Sequence, residues 1–377
     1  MLLGENGDGK TTVLQALAIA LMDPRQRRSL DVAEFLRRGA ASGRIVVEFA
    51  DTPGMVTVEF SAGDPTFRSA GGLSCIVAGY GAYRLSARNR RQPRYKVDEP
   101  PRVRSVLDPY AQLVASEPWL LNQPQQRFDS AARALKRLLI DEASVLHRRD
   151  GEVRLVRDDR SHPFGQLSAG YRSMIALAVD LMSYVLTHWE TLEAAEGIVL
   201  IDEIGTHLHP RWQMRVVSAF RDAFPRLQFI ASTHDPLCLR GLRKGEVVVL
   251  RRDDDGRIFT LRDLPSVEGL HVDQLLTSEH FGLASTLDPV LEEEFEEYYK
   301  LLSRRTLTPS GERRLAWLRD NLADYQQLGR NERERLTLEA ADLALARMRR
   351  ERDPDARAHM TGEARDRIAQ IWSEAGF

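Results

Sequence analysis

The chain opens on Gly4-Glu5-Asn6-Gly7-Asp8-Gly9-Lys10-Thr11, a fit to G-x-x-x-x-G-K-[ST]. No other feature restricts the fold so tightly. Glycines there let backbone N–H groups converge on phosphate oxygens, and the helix that follows adds its positive end. Lys10 would reach the β- and γ-phosphates, and the Thr11 hydroxyl would ligate Mg²⁺. The helix is legible as Thr12 to Met22, with an apolar stripe of Val13, Leu14, Leu17, Ala18 and Leu21. The strand that normally precedes such a loop is cut to Met1-Leu2-Leu3. Either the native start lies upstream of Met1 or the edge of the sheet is incomplete.

A second element fits the first. Ile198-Val199-Leu200-Ile201 is wholly apolar and ends in Asp202-Glu203. Strands of that kind, alternating with helices, indicate a parallel sheet covered on both faces. Ligands bind at the C-terminal ends of such strands. Asp202 would hold Mg²⁺ through water, and Glu203 would orient and activate an attacking water. A second apolar strand, Gln228 to Ser232, ends in Thr233-His234, where a histidine can bond a γ-phosphate or that water.

Between the phosphate loop and the Asp-Glu pair lies Leu167-Ser168-Ala169-Gly170-Tyr171-Arg172, ahead of a helical run from Met174 to Leu186. Ser168 can cap that helix, whose N-terminus can receive an anion.

The remaining stretches are less specific. Residues 44–80 alternate like strands, Ile45 to Phe49 and Val56 to Phe60, about a Thr52-Pro53-Gly54 turn. Residues 85–110 read as a polar loop rich in arginine and proline, and 126–148 as a helix. Val247–Leu250 and Ile258–Leu261 flank Asp-Asp-Asp-Gly as a hairpin. After about residue 266 the pattern turns to mixed-charge helices over 292–302, 312–328 and 331–350. The domain reading is therefore 1–265, with an insert at about 82–165, followed by a helical extension, 266–377.

Four motifs in this order resemble the ATP-binding-cassette (ABC) superfamily: phosphate loop, signature, Asp-Glu strand and switch histidine. Leu-Ser-x-Gly-Tyr-Arg (167–172) and Asp-Glu-Ile-x-x-His-Leu-His-Pro (202–210) resemble the stand-alone AAA family ATPases, the OLD-like and RecF/SMC-like branch that includes ATPases of anti-phage defence operons. The resemblance covers roughly residues 1–262 and is weak in the insert. It implies an α/β fold of the ABC-type P-loop NTPases: a mostly parallel central sheet, an antiparallel β lobe and, here, a C-terminal helical extension. It implies ATP and Mg²⁺ as cofactors. Gly4, Asn6, Gly7, Gly9, Lys10, Thr11 and Thr12 would hold the nucleotide, Thr11 and Asp202 the metal, and Glu203 and His234 would carry catalysis. It implies a homodimer around ATP, in which Ser168 and Gly170 of one subunit contact the γ-phosphate held by the other. His207 and His209 fall where the family places its dimer-contacting loop. The glutamine that couples nucleotide to the accessory lobe has no assigned position, Gln112 and Gln166 being unsupported candidates.

Charge and composition bear on partners. Lys plus Arg number 53 and Asp plus Glu 55, which excludes a highly basic chromatin-type protein. The basic stretch Arg84, Arg88, Arg90, Arg91, Arg94 and Lys96, interleaved with Tyr83 and Tyr95, is either a grip for a nucleic-acid backbone or a solvated loop. No apolar run approaches membrane-spanning length, and no membrane role is expected. Cys75 and Cys238 read as buried free thiols, which with the absence of a leader pattern suits a cytoplasmic location. His207-x-His209 lacks further ligands at zinc spacing. Asp353-Pro354-Asp355 follows no apolar strand, so a nuclease is expected on a partner protein rather than on this chain. The competing reading is an ATP sensor or scaffold without turnover. A transporter subunit is disfavoured because Tyr171-Arg172 stands where transporter cassettes commonly have glutamine.

Overall fold

The computed structural model describes residues 1–50, 54–72, 75–86, 102–139, 144–157, 160–283, 286, 288–302 and 307–326. The chain forms two compact units, Met1–Gly282 and Leu283–Phe377. The sequence-based boundary at 265/266 falls inside the first unit, because Val267 and Leu275 are buried in its core.

In the first unit, strand Gly197–Ile201 pairs in parallel with Ile76–Tyr80 on one side and Leu227–Ala231 on the other. Strand Leu2–Leu3 pairs in parallel with Val248–Arg252, which pairs antiparallel with Ile258–Leu261, the expected hairpin. A parallel bridge from Leu2 to Ser232 joins the two sets. The short first strand is thus an interior strand, not an edge. Its flanks are bonded on both sides: Thr233 N–H donates to Leu2 O and Val248 N–H to Met1 O.

Why the sheet is apolar on both faces follows from alternation along its strands. Val199 and Ile201, with Ala78 and Tyr80, face the cluster built on the signature helix Ala169–Val185. Ile198 and Leu200, with Val77, face Leu14 and Ala18 of the loop helix Lys10–Leu21. The phosphate loop and the signature segment therefore start helices on opposite faces of one sheet.

Three antiparallel strands, Ser42–Glu48, Met55–Ser61 and Asp64–Ala70, form the β lobe. Val56 and Val58 pack on Ile19 and Ala20 at the far end of the loop helix. Strand Ile76–Tyr80 is different. All five of its residues are buried, and it joins the parallel sheet rather than the alternating lobe.

Two readings of the insert are corrected. The helix over 126–148 stops at Leu138, and Val145–Arg149 is a strand paired with Glu152–Arg157. The physical reason is Asp150-Gly151, both with positive φ (54° and 75°), the turn that closes a two-residue hairpin. Within 85–110 the polar loop gives way to structure: Leu85–Ser86 pairs with Gln112–Leu113, and Arg104–Leu107 is helical. Arg88, Arg90, Arg91, Arg94, Tyr95 and Lys96 lie outside the described residues. Of the two cysteines, Cys238 is buried but Cys75 is exposed, at the entry to strand Ile76–Tyr80.

The second unit is described as two helices, Pro289–Leu302 and Pro309–Gln326. Tyr298, Leu318 and Leu322 form its buried centre. The helix expected over 331–350 and Asp353-Pro354-Asp355 lie outside the described residues. Among the described residues no helix is long and apolar enough to cross a membrane.

Candidate nucleotide site

The phosphate loop runs from the end of strand Leu2–Leu3 into the loop helix. Gly4, Gly7 and Gly9 all have positive φ (151°, 94° and 88°), which favours residues without a Cβ. At Gly4 the space is also closed, since a Cβ would lie 2.7 Å from Leu250 O. The loop is bonded from within: Asp8 Oδ2 accepts from Glu5 N–H at 2.9 Å, and Lys10 Nζ donates to Gly4 O at 2.8 Å and Glu5 O at 3.2 Å. Arg252 Nη2 holds it from outside through Gly7 O at 2.7 Å. No side chain caps the loop helix and no acid sits in its first turn, so its N-terminus is open to an anion. Asn6 and Thr12 are exposed beside it.

Two other strand ends meet this loop. Thr11 Oγ1 donates to Asp202 Oδ2 at 2.8 Å, and Ser232 Oγ donates to Asp202 Oδ1 at 2.5 Å. Two oxygens on a buried carboxylate and a hydroxyl form a hard donor set of the kind Mg²⁺ takes, with water completing the shell. Thr11 and Asp202 therefore fit that ion. Glu203 lies next along the chain, its Oε1 4.0 Å from Lys10 Nζ and its Oε2 2.8 Å from His234 Nδ1. Lys10, Thr11, Asp202, Glu203 and His234 thus converge, although 191 residues separate Thr11 from Asp202. The His234 side chain is 66% exposed.

The signature segment stands apart from this cluster. Ser168 occupies the N-cap position, but its hydroxyl makes no cap bond and the residue is exposed, contrary to the capping role read from sequence. Gly170 packs against the loop after the Asp-Glu pair: a Cβ there would lie 2.5 Å from His207 O. Tyr171 meets Trp212 edge-on at 4.3 Å, fixing the same junction. His207 adopts φ 64°, while His209 accepts from Arg211 N–H and so caps helix Pro210–Gln213. Among the described residues no group of three or more His, Cys, Asp or Glu side chains could hold a metal ion. Gln112 and Gln166 are exposed and carry no link to the site.

Sequence reasoning misplaced Arg84 and overlooked what Ser232 does. Arg84, read as part of the exposed basic stretch, is 4% exposed. Its Nη2 donates to Glu203 O at 2.8 Å and Asp202 O at 3.3 Å. Burial, outweighing the nearby Asp202, lowers its pKa to about 10, so it stays cationic at neutral pH. Its position just past the end of an apolar strand was the signal for it. Ser232, wholly buried, links Asp202 Oδ1 to Glu203 N–H. Beneath both, Asp180 of the signature helix accepts from Tyr80 OH at 3.1 Å and Val114 N–H at 2.8 Å, and burial raises its carboxyl pKa.

Comparison with known proteins places the chain among relatives. Residues 104–240 match the family described as "AAA domain, putative AbiEii toxin, Type IV TA system". Septu protein PtuA of Bacillus mycoides is 36% identical over 93% of this chain and 50% of its own length. A retron Vc95 probable ATPase of Vibrio cholerae is 32% identical over 30% of this chain and 23% of its own. The chain spans about half the length of the first of these relatives. Among solved structures, the SMC head domain from Thermotoga maritima is 14% identical, covers 69% of this chain and 88% of its own, and has a TM-score of 0.40. The resemblance carried by the four motifs is borne out: this chain is similar to the ABC-like ATPases of the defence type.

Proposed function

We propose that this chain binds and hydrolyses ATP with Mg²⁺, and that two copies close around nucleotide to switch a nuclease-type partner in anti-phage defence. One observation carries the reading: Lys10, Thr11, Asp202, Glu203 and His234 meet at the open N-terminus of the loop helix. Lys10 and the loop N–H groups bind and orient the phosphates. Thr11 and Asp202 hold the metal, which supplies charge neutralisation on the phosphoryl oxygens. Glu203 accepts the proton of the attacking water, and His234, bonded to Glu203, fixes that carboxylate. Such catalysis is mostly positioning and electrostatic stabilisation.

The uncapped signature helix supports the dimer. Ser168 is exposed at that uncapped end, with Gly170 two residues on, which suits a role toward the nucleotide of a second copy. DNA engagement rests on the arginine-rich stretch 88–96 and the location on composition, so both belong to this reading and not to the geometry.

The test is steady-state phosphate release by the purified chain, with and without duplex DNA, beside Glu203→Gln. Loss of turnover by about 10²- to 10⁴-fold in the variant, with ATP still bound, is the expected result. Unchanged turnover sinks the role of Glu203. ATP binding with no turnover in the parent chain selects the sensor or scaffold instead.

A further inference from the structure

Glu203 is held in a conformation it would not choose alone. Its φ is 48°, the left-handed region, which is unfavourable for a non-glycine residue. Strain of that kind persists only where the surroundings over-determine it. Here two side chains do so. Glu203 N–H donates to Ser232 Oγ at 2.8 Å, and Arg84 Nη2 donates to Glu203 O at 2.8 Å. Ile204 N–H then bonds Ser232 O at 2.9 Å, closing the turn. The peptide groups on either side of the Glu203 Cα are thereby fixed, and with them the direction of its carboxylate toward Lys10 and His234.

We infer that Arg84 is a positioning residue for Glu203, clamping its backbone so that the carboxylate faces the phosphate loop. This rests on the ATPase reading above. Folding alone is a poor reason for Arg84. Its Nε and Nη1 are buried with no hydrogen-bond partner among the described residues. Burying a cation with most of its donors unused costs stability rather than adding it. Arg84 itself sits at φ 45°, a second left-handed residue in the same contact. Two strained residues that meet through one hydrogen bond are easier to explain by what they aim than by what they stabilise.

The location adds a consequence. Arg84 follows strand Ile76–Tyr80 and precedes strand Leu85–Ser86, which pairs with Gln112–Leu113 of the insert. Tyr83, the next residue back, is 67% exposed. Any ligand or partner that shifts this short segment moves the clamp on Glu203. The segment thus supplies a link between insert and nucleotide site, through the pairing of Leu85 with Gln112.

The experiment compares Arg84→Met, Arg84→Lys and Glu203→Gln in the full chain, measuring kcat, KM and direct ATP binding. Arg84→Met is expected to lower kcat by about 100-fold, the scale of a misplacement near 1 Å, with ATP affinity changed less than about threefold. Arg84→Lys, which keeps the charge but lacks the planar guanidinium, should recover part of kcat. Adding Arg84→Met to Glu203→Gln should cost nothing further, because the clamp acts only through Glu203. Additive losses, or a loss of ATP affinity in place of kcat, would mean a structural role and overturn the inference. Should Arg84→Met fail to fold, a kcat loss in Arg84→Lys that recurs in full in the Glu203→Gln background overturns it equally. A parent chain without turnover overturns the ATPase reading and this inference together. Turnover that Glu203→Gln abolishes and Arg84→Met leaves intact overturns this inference alone.

Discussion

The phosphate-loop cluster and the signature segment begin helices on opposite faces of the same sheet, yet they are finished to different degrees. Around the loop, polar groups are bonded to one another, and Lys10, Asp202 and Ser232 among them are buried: Lys10 to Gly4 and Glu5, Thr11 and Ser232 to Asp202, Glu203 to His234. At the signature helix, Ser168 is an exposed N-cap residue with no cap bond. Buried polar groups that lack partners are costly, so the loop must satisfy its own in order to fold. An exposed helix end is satisfied by water and can wait for an anion at little cost. The first region is bonded within itself, whereas the second leaves a helix end open.

That contrast can be broken from the loop side first. Lys10→Ala removes a charged donor that would be shared with phosphate, and should weaken ATP binding by about 10- to 150-fold, equivalent to 1.5–3 kcal/mol. Equilibrium binding of a fluorescent ATP analogue reads this, and unaltered affinity refutes the role. Ser232→Ala strips one bond from Asp202 and another from Glu203, and should lower stability by about 1–3 kcal/mol in denaturant unfolding. If unfolding is unchanged, the cluster is less interdependent than its bonds suggest.

The signature side should respond in the opposite manner. Gly170→Ala pushes a methyl toward His207 O, 2.5 Å from where its Cβ would stand. Turnover should fall by about tenfold as the junction shifts, while binding of ATP to the isolated chain stays near its parent value. A drop in binding would show that the two regions are not separable. Ser168→Ala should be the mildest of all in unfolding, within about 0.5 kcal/mol, because no cap bond is lost. Its effect should appear in turnover at high protein concentration, where two copies meet. A large loss of stability would mean that Ser168 caps its helix in solution after all.

Arg84 marks the limit of reading by charge. In sequence it belongs with Arg88 to Lys96, and a run of cations suggests a solvated or polyanion-binding loop. In the fold it lies buried against the backbone of Asp202 and Glu203. The same lesson holds for residues 126–148, where leucine spacing favoured one long helix. There the helix ends at Leu138, and Val145–Arg149 folds back as a strand across the Asp150-Gly151 turn, because a hairpin needs positive φ and those residues accept it cheaply.

By itself, the sequence determined the phosphate loop, the two apolar strands, their order and the five residues that converge on the site. These are local or periodic features: glycine spacing, a helix stripe, a run of β-branched residues ending in carboxylates. Only the tertiary structure decided that strand Leu2–Leu3 lies inside the sheet and that Ile76–Tyr80 flanks the Asp-Glu strand. It also decided that Ser232 and Arg84 grip Glu203 from either side. The physical reason is that a hydrogen bond spanning 119 residues, such as Arg84 to Glu203, leaves no periodic trace in the chain. It exists only after the parallel sheet has brought the ends of separate strands together.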